Sequence, residues 1–188
     1  MCEGKVTEPE YFRGFANACS NPRVTLQIAP EAGVPLTVVT LARDRKKAAE
    51  TRAEDEKDEN LKYDSVWAVF DVDDHPNIPA AIQMARDNHI QLAISNLAFE
   101  LWLLLHFRDH PEMKGRKDVR RLLNKFLKKY DKHIDFDDCQ AGYDEAVKRA
   151  SRLDRCNLQA CQHGPNPSTE VYRLTESIRS DSPDPATP

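Results

Sequence analysis

Hydrophobic positions in this chain are gathered into short continuous runs separated by long polar stretches. Residues 65–70 read Ser-Val-Trp-Ala-Val-Phe and stop abruptly at Asp71-Val72-Asp73-Asp74. A run that is apolar at nearly every position, not every second one, fits a strand covered on both faces, as parallel strands are. Residues 90–95 repeat the pattern, and residues 78–88 between them read as a helix with Pro79 in its first turn. Asn96 is placed to cap a further helix that begins near Ala98. Strand, helix, strand, helix predicts a right-handed parallel unit.

Upstream, residues 24–28 and 36–41 collect β-branched and leucine side chains between Pro, Gly and Ala, which predicts one or two strands near the core. Residues 43–62 are almost all charged or alanine and predict an exposed helix that serves as a solvated connector. Beyond Phe107 the apolar spacing is helical over residues 117–130, 143–153 and 168–178. The expected organisation is an α/β core over residues 1–107, a helical subdomain over 108–178, and a disordered Ser-, Asp- and Pro-rich tail over 179–188.

The chain has 188 residues, enough for one domain with an appendage. Its formal charge of −4 supplies no global basic field, so any contact with a polyanion must be local. The most basic stretch, residues 114–132, contains Arg116, Lys117, Arg120, Arg121, Lys125, Lys128 and Lys129. Five cysteines without a paired framework, and no signal peptide, point to a reducing cytoplasm. The strongest apolar run, residues 92–107, is interrupted by Asn96, Glu100 and His106 and falls short of the roughly 18 residues a membrane span needs.

The chemistry is expected at residues 71–74. Functional groups of parallel α/β sheets stand beyond the carboxyl ends of the strands, and side chains two apart in an extended segment point the same way. Asp71 and Asp73 can therefore approach one hard divalent cation such as magnesium. Asp-x-Asp alone is common in solvated loops. A third acid is offered by Cys2-Glu3-Gly4, followed by Thr7-Glu8-Pro9 and the helical pattern Tyr11-Phe12-x-x-Phe15, which together read as a strand-to-helix turn.

These segments resemble the RloB-like proteins, within the wider set that carries a Toprim (topoisomerase-primase) catalytic domain. The resemblance rests on four ordered motifs: Cys-Glu-Gly-x-x-Thr-Glu-Pro-x-Tyr-Phe at residues 2–12, Asp-x-Asp-Asp at 71–74, Ser-Asn-x-x-Phe-Glu-Leu-Trp-Leu-Leu-Leu-His-Phe at 95–107, and Asn-Pro-Ser-Thr at 166–169. It implies a Toprim-like (Rossmann-like) parallel sheet flanked by helices, with Glu3, Asp71 and Asp73 as catalytic and metal-binding residues. It further implies Mg2+ or Mn2+, phosphodiester cleavage of DNA or RNA, tRNA included, and a place in bacterial anti-phage and restriction-linked loci beside an ATPase. No Walker A signature occurs here, so that ATPase would be a separate subunit. Assembly of several copies of the chain stays open.

Two departures stand out. Only Met1 and Cys2 precede Glu3, so the strand before that glutamate is expected to be cut short. The family has proline after Ser-Asn where this chain has Leu97, which should alter the start of the following helix.

Around the acids, Glu8, Asp74, Ser95, Asn96, Glu100, His106, Asn166 and Thr169 are expected to support the site or position substrate. For Ser95, Asn96 and Glu100 the competing reading is a helix cap and first-turn acid. For His106 it is a satisfied core histidine; His75, which follows the aspartates and could serve as ligand or base, competes with an exposed loop histidine. Asn166 and Thr169 cap a helix or receive a phosphate at its N-terminus. Arg120, Arg121, Lys125 and Lys128 are expected to contact nucleic acid if their helix faces the acids, and otherwise to be solvated. Cys139, Cys156, Cys161 and His163 lack paired Cys-x-x-Cys spacing and do not read as a zinc site. Against the nuclease stands a second class, a catalytically silent regulatory subunit of an ATPase-containing complex.

Overall fold

The computed structural model describes residues 1–72, 76–109, 115–128, 130–158 and 167–180. The two apolar runs form β1 (Trp67–Asp71) and β2 (Gln91–Asn96), joined by α3 (Ile78–Asp87). They pair in parallel with Ala68 opposite Leu92 and Asp71 opposite Ser95. Period-two alternation then divides their side chains: Val69 and Ala93 enter one apolar cluster, while Ala68, Phe70 and Ile94 enter another. Both faces are covered, which is why the runs carry no polar alternation.

On one face lie α2 (Pro35–Glu56) and α3, with Val38, Val39, Ala42, Ala81 and Ala85 buried against Phe70 and Ile94. On the other lie α1 (Thr7–Cys19), α4 (Phe99–Phe107), α5 (Arg116–Leu123), α6 (Tyr143–Leu158) and α7 (Val171–Arg179). One apolar cluster there runs from Cys2 to Ile178 and joins the N-terminal and C-terminal helices in a single core. Its centre is α4. Leu101, Trp102, Leu103, Leu104 and Leu105 are all fully buried, the condition of a helix surrounded by protein. Tyr11, Phe12 and Phe15 of α1 pack on it with edge-on contacts from Tyr11 to Phe99 and Trp102.

Several expectations are corrected. Residues 24–28 form no strand; they run irregularly, with Val24, Leu26 and Ile28 resting on the core. Residues 36–41 belong to α2, because Pro35 sits in its first turn and Val38, Val39 and Ala42 share one face. Burial of that face outweighs the weak helix propensity of valine. The polar connector expected over 43–62 is thus the outer continuation of a packed helix, ended at Lys57 by a left-handed residue with φ 54°. The helix expected over 117–130 stops at Leu123 and is followed by turns.

Residues 168–178 begin not as helix but as β3 (Ser168–Thr169), antiparallel to β2, so among the described residues the small open sheet has three strands and is mixed. Asn96 is not the cap of α4: it closes β2 opposite Ser168, and Ala98 takes the cap position with no side-chain bond. The Asn96–Leu97 peptide is cis. Arg179, expected in the tail, ends α7; residues 181–188 lie outside the described residues. Among the described residues no helix is long and apolar enough to cross a membrane.

The short segment ahead of Glu3 is held to the sheet. Cys2 bridges Val69 in parallel, the Val69 amide donates to the Met1 carbonyl at 2.9 Å, and the Glu3 amide donates to the Val69 carbonyl at 2.9 Å. Residues 1–3 therefore lie beside β1, on the edge opposite β2.

Candidate active site

Parallel pairing brings the end of residues 1–3 and the end of β1 to the same side of the sheet. Glu3 leaves the sheet one residue after the Cys2 bridge, and its Oε2 accepts the backbone amide of Asp71 at 2.8 Å. Asp71 is the last residue of β1. Its side chain is 19 % exposed, enough to meet solvent while most of its hydration is lost. Burial foremost, and then the neighbouring Glu8, push the Asp71 carboxyl up to about 8; Glu3 and Glu100 add to the rise and Arg116 opposes it.

Glu8 and Glu100 come from the first turns of α1 and α4. Glu8 is buried, its carboxyl pushed up by desolvation, and its Oε1 accepts the Gly4 amide at 3.2 Å. Gly4 permits this because the Glu8 carboxylate fills the space that a β-carbon at position 4 would take. Glu100 Oε1 accepts from the Tyr130 hydroxyl at 3.4 Å, and that hydroxyl stands 3.2 Å from Thr7 Oγ1. Thr7 in turn donates to the Lys132 carbonyl at 2.6 Å. This chain of contacts ties residues 130–132 to the starts of α1 and α4.

Among the described residues the cation beside these acids is Arg116, the first residue of α5. Its Nε donates to the Leu97 carbonyl at 2.8 Å and its Nη2 lies 3.6 Å from Asp71 Oδ2. Neither Arg116 nor Tyr130 is singled out by the sequence: Arg116 is one basic residue among many, and only tertiary packing turns it toward Asp71. The Thr7-Glu8-Pro9 motif does carry a local signal, at the turn where Gly4 receives Glu8.

The remaining expected residues separate clearly. Ser95 is buried opposite Asp71 in the sheet, with its Oγ 2.9 Å from Thr169 Oγ1, so the pair joins β2 to β3 beside the acids. His106 stands in the last turn of α4, six residues and about 9 Å of helical rise from Glu100. Its Nδ1 lies 3.0 Å from the Trp102 carbonyl and can donate to it, leaving Nε2 to accept from the Tyr11 hydroxyl at 3.1 Å. Burial pushes its pKa down to about 4, the behaviour of a neutral core histidine. Arg120, Arg121, Lys125 and Lys128 are exposed, and Arg121 pairs with Asp118 at 3.2 Å. Asp73, Asp74, His75, Cys161, His163 and Asn166 lie outside the described residues.

Residues 1–178 match the protein family described as RloB-like protein. The chain belongs to the RloB-like family. Neither a curated protein nor a solved structure matches it. In RloB-like terms, the span covers Glu3, Asp71, Glu100 and Arg116 together, so the acidic cluster lies wholly within the family domain.

Hard oxygen donors and surplus negative charge are what a divalent cation such as Mg2+ or Mn2+ requires. Glu3 and Asp71 supply the first, and the second comes from Glu8, Glu3 and Glu100, whose charges add to the burial that raises Asp71. The donor chemistry therefore fits the cation the family implies. Among the described residues no three His, Cys, Asp or Glu side chains converge closely enough to hold one. Asp73, expected as a further donor, lies outside the described residues.

Proposed function

We propose that this RloB-like protein is a metal-dependent nuclease with Toprim-type chemistry, acting as the effector of an anti-phage module under a partner ATPase. The observation that carries the reading is the link between Glu3 and Asp71 at the carboxyl-end side of adjacent parallel segments, the place where α/β sheets put their functional groups. Glu3, Asp71 and Asp73 would hold Mg2+ or Mn2+. When bound, the cation polarises the phosphate and offsets charge on the leaving oxygen.

The chain's own residues supply the rest. Asp71, raised to about 8, would have to give up its proton to ligate such a cation. Glu3 stays oriented through the Asp71 amide, and Glu8 and Glu100 keep the local potential negative, which selects a divalent cation over a monovalent one. The Asp71 carboxyl, raised by burial and such neighbours, suits proton exchange near neutral pH. The exposed Arg120, Arg121, Lys125 and Lys128 would meet the nucleic-acid backbone outside the site.

The test is incubation of the full chain with labelled DNA and RNA, tRNA included, in Mg2+ or Mn2+. Cleavage that disappears in Asp71→Ala and Asp73→Ala supports the reading. Intact substrates under every condition, with the partner ATPase present, favour the silent regulatory subunit.

A further inference from the structure

The turns after α5 leave one aromatic ring in water. The Phe126 and Leu127 amides both donate to the Leu123 carbonyl at 2.9 Å, so the winding of α5 continues past its end. Leu123 and Leu127, four apart, enter the core, and Phe126 between them is turned outward. Of the seven phenylalanines in the chain five are buried and Phe107 is partly so; Phe126, 41 % exposed, is left out. The ring nevertheless has a support. It lies on that of Phe107, the last residue of α4, with centroids 5.1 Å apart and planes 10° from parallel. Phe107 covers one face, so the exposed area belongs to the rest of the Phe126 ring.

The charge along this segment is mostly of one sign. Residues 116–128 hold six Lys and Arg against one acid, Asp118. Lys117, Arg121 and Lys125 follow one another at intervals of four, the spacing that aligns side chains along a helical surface. All three are exposed, as is Lys128, and Arg121 shares its charge with Asp118 at 3.2 Å. The segment also has a direction. Both α4 and α5 begin at the acidic cluster, where Glu100 and Arg116 act on Asp71, and both lead to the aromatic pair. From Glu100 to Phe107 the helical rise is about 10 Å. A strand that advances about 3.4 Å per nucleotide covers that in about three nucleotides.

A ring held by a second ring offers a fixed surface for stacking a planar group. A planar group carried on a polyanion matches both features, since every nucleobase has a π-face and lysine or arginine neutralises its phosphates. Bases inside a duplex are already stacked on their neighbours, so such a surface favours a single strand. We propose that Phe126, backed by Phe107, stacks an unpaired base of single-stranded nucleic acid whose phosphates run along Lys125, Arg121 and Lys117 toward the acidic cluster. The proposal deepens the nuclease reading, on which it rests, by naming a single strand as the substrate class, and its test reads binding without a metal ion.

The full chain, Phe126→Ala, Phe126→Trp and Lys125→Gln are titrated in EDTA against fluorescein-labelled DNA and RNA of one sequence, as single strands and as duplexes, and against an abasic strand of the same length. The parent binds single strands more tightly than duplexes. Phe126→Ala loses about tenfold or more on single strands. On the abasic strand it loses nothing, because no base is there to stack. Phe126→Trp keeps or improves single-strand affinity, and its added fluorescence is quenched on binding. The slope of log affinity against log salt is the same in Phe126→Ala as in the parent and falls by about 0.7 in Lys125→Gln.

Single-strand affinity unchanged in Phe126→Ala overturns the proposal, as does an equal loss on the abasic strand or a parent that binds no oligonucleotide. A parent that sediments as a dimer, dissociated by Phe126→Ala with oligonucleotide affinity unchanged, assigns the ring to a contact between copies and also overturns it. If the parent cleaves and Phe126→Ala cleaves single-stranded substrates with the same KM, the stack is excluded and the nuclease reading stands. If the parent cleaves nothing while single-strand binding depends on Phe126, the nuclease reading falls and the stack stands.

Discussion

The Asp71 amide donates to the Glu3 carboxylate at 2.8 Å, so a backbone group of one expected catalytic acid orients the side chain of the other. Any residue but proline at 71 supplies that amide, so a change in the Asp71 side chain leaves the bond in place. Glutamine at position 3 retains an acceptor oxygen while losing the charge. Glu3→Gln is therefore expected to unfold in urea close to the parent midpoint, and Glu3→Ala to lose about 1 kcal/mol. Both should bind Mn2+ more weakly than the parent, with Glu3→Gln isolating the loss of charge.

Divalent-cation binding should be strongly pH-dependent. The Asp71 carboxyl is held protonated up to about 8, and a cation must displace that proton. Mn2+ affinity is expected to rise as pH increases from 6 toward 8 and then to level off. Calorimetric titrations in buffers of different ionisation enthalpy would show proton release that shrinks across the same range. An affinity flat from pH 6 to 9 would contradict the environment assigned to Asp71.

His106 makes the opposite kind of statement, about stability. Its pKa is about 4 in the folded chain against 6.5 when unperturbed, so below 6.5 the unfolded state takes up a proton that the folded state refuses. The stability it contributes is complete above pH 6.5 and is lost as pH falls to 4, by about 3 kcal/mol. Glu170, raised to about 6, and Asp71, raised to about 8, work in the other direction, since each gains stability as pH falls through its folded pKa. The His106 part is isolated by comparing the parent with His106→Phe: the parent should lose more stability between pH 6.5 and 4, read from urea midpoints at each pH.

Gly142 lies against the end of α4. A β-carbon there would run into the His106 carbonyl oxygen, a backbone atom that cannot step aside as a flexible side chain can. Gly142→Ala should cost about 1–3 kcal/mol, the range for overpacking a buried contact. Thermal unfolding would show it, and a melting temperature equal to the parent's would contradict the packing described.

What the sequence made legible follows from how local each signal is. The runs over residues 65–70 and 90–95 are read correctly as parallel strands, each one residue short at its end, because an apolar segment bounded by polar residues needs no knowledge of its partners. The start of α2 is missed because Val38 and Val39 look like strand residues until Phe70 and Ile94 are known to cover them. The antiparallel β3 is missed because two residues carry no periodicity; the strand exists through its pairing with Ser95 and Asn96. Asp71 is picked out by its place at the end of an apolar run and Glu3 by the turn at Cys2-Glu3-Gly4, and family resemblance then joins the two; Gly4 gives part of the local reason by seating Glu8. Arg116 has no local signature at all, since its approach to Asp71 depends on where α5 lands.

The most direct measurement is phosphodiester cleavage by the parent chain and by Asp71→Asn, in Mg2+ or Mn2+, with the partner ATPase present. Asparagine matches aspartate in shape, and position 71 still donates its amide to Glu3, so a difference between the two chains reports the carboxylate itself. The nuclease account predicts metal-dependent cleavage by the parent and a loss of about a hundredfold or more in the variant. Equal cleavage by both chains, or none by the parent on any DNA or RNA, would contradict it.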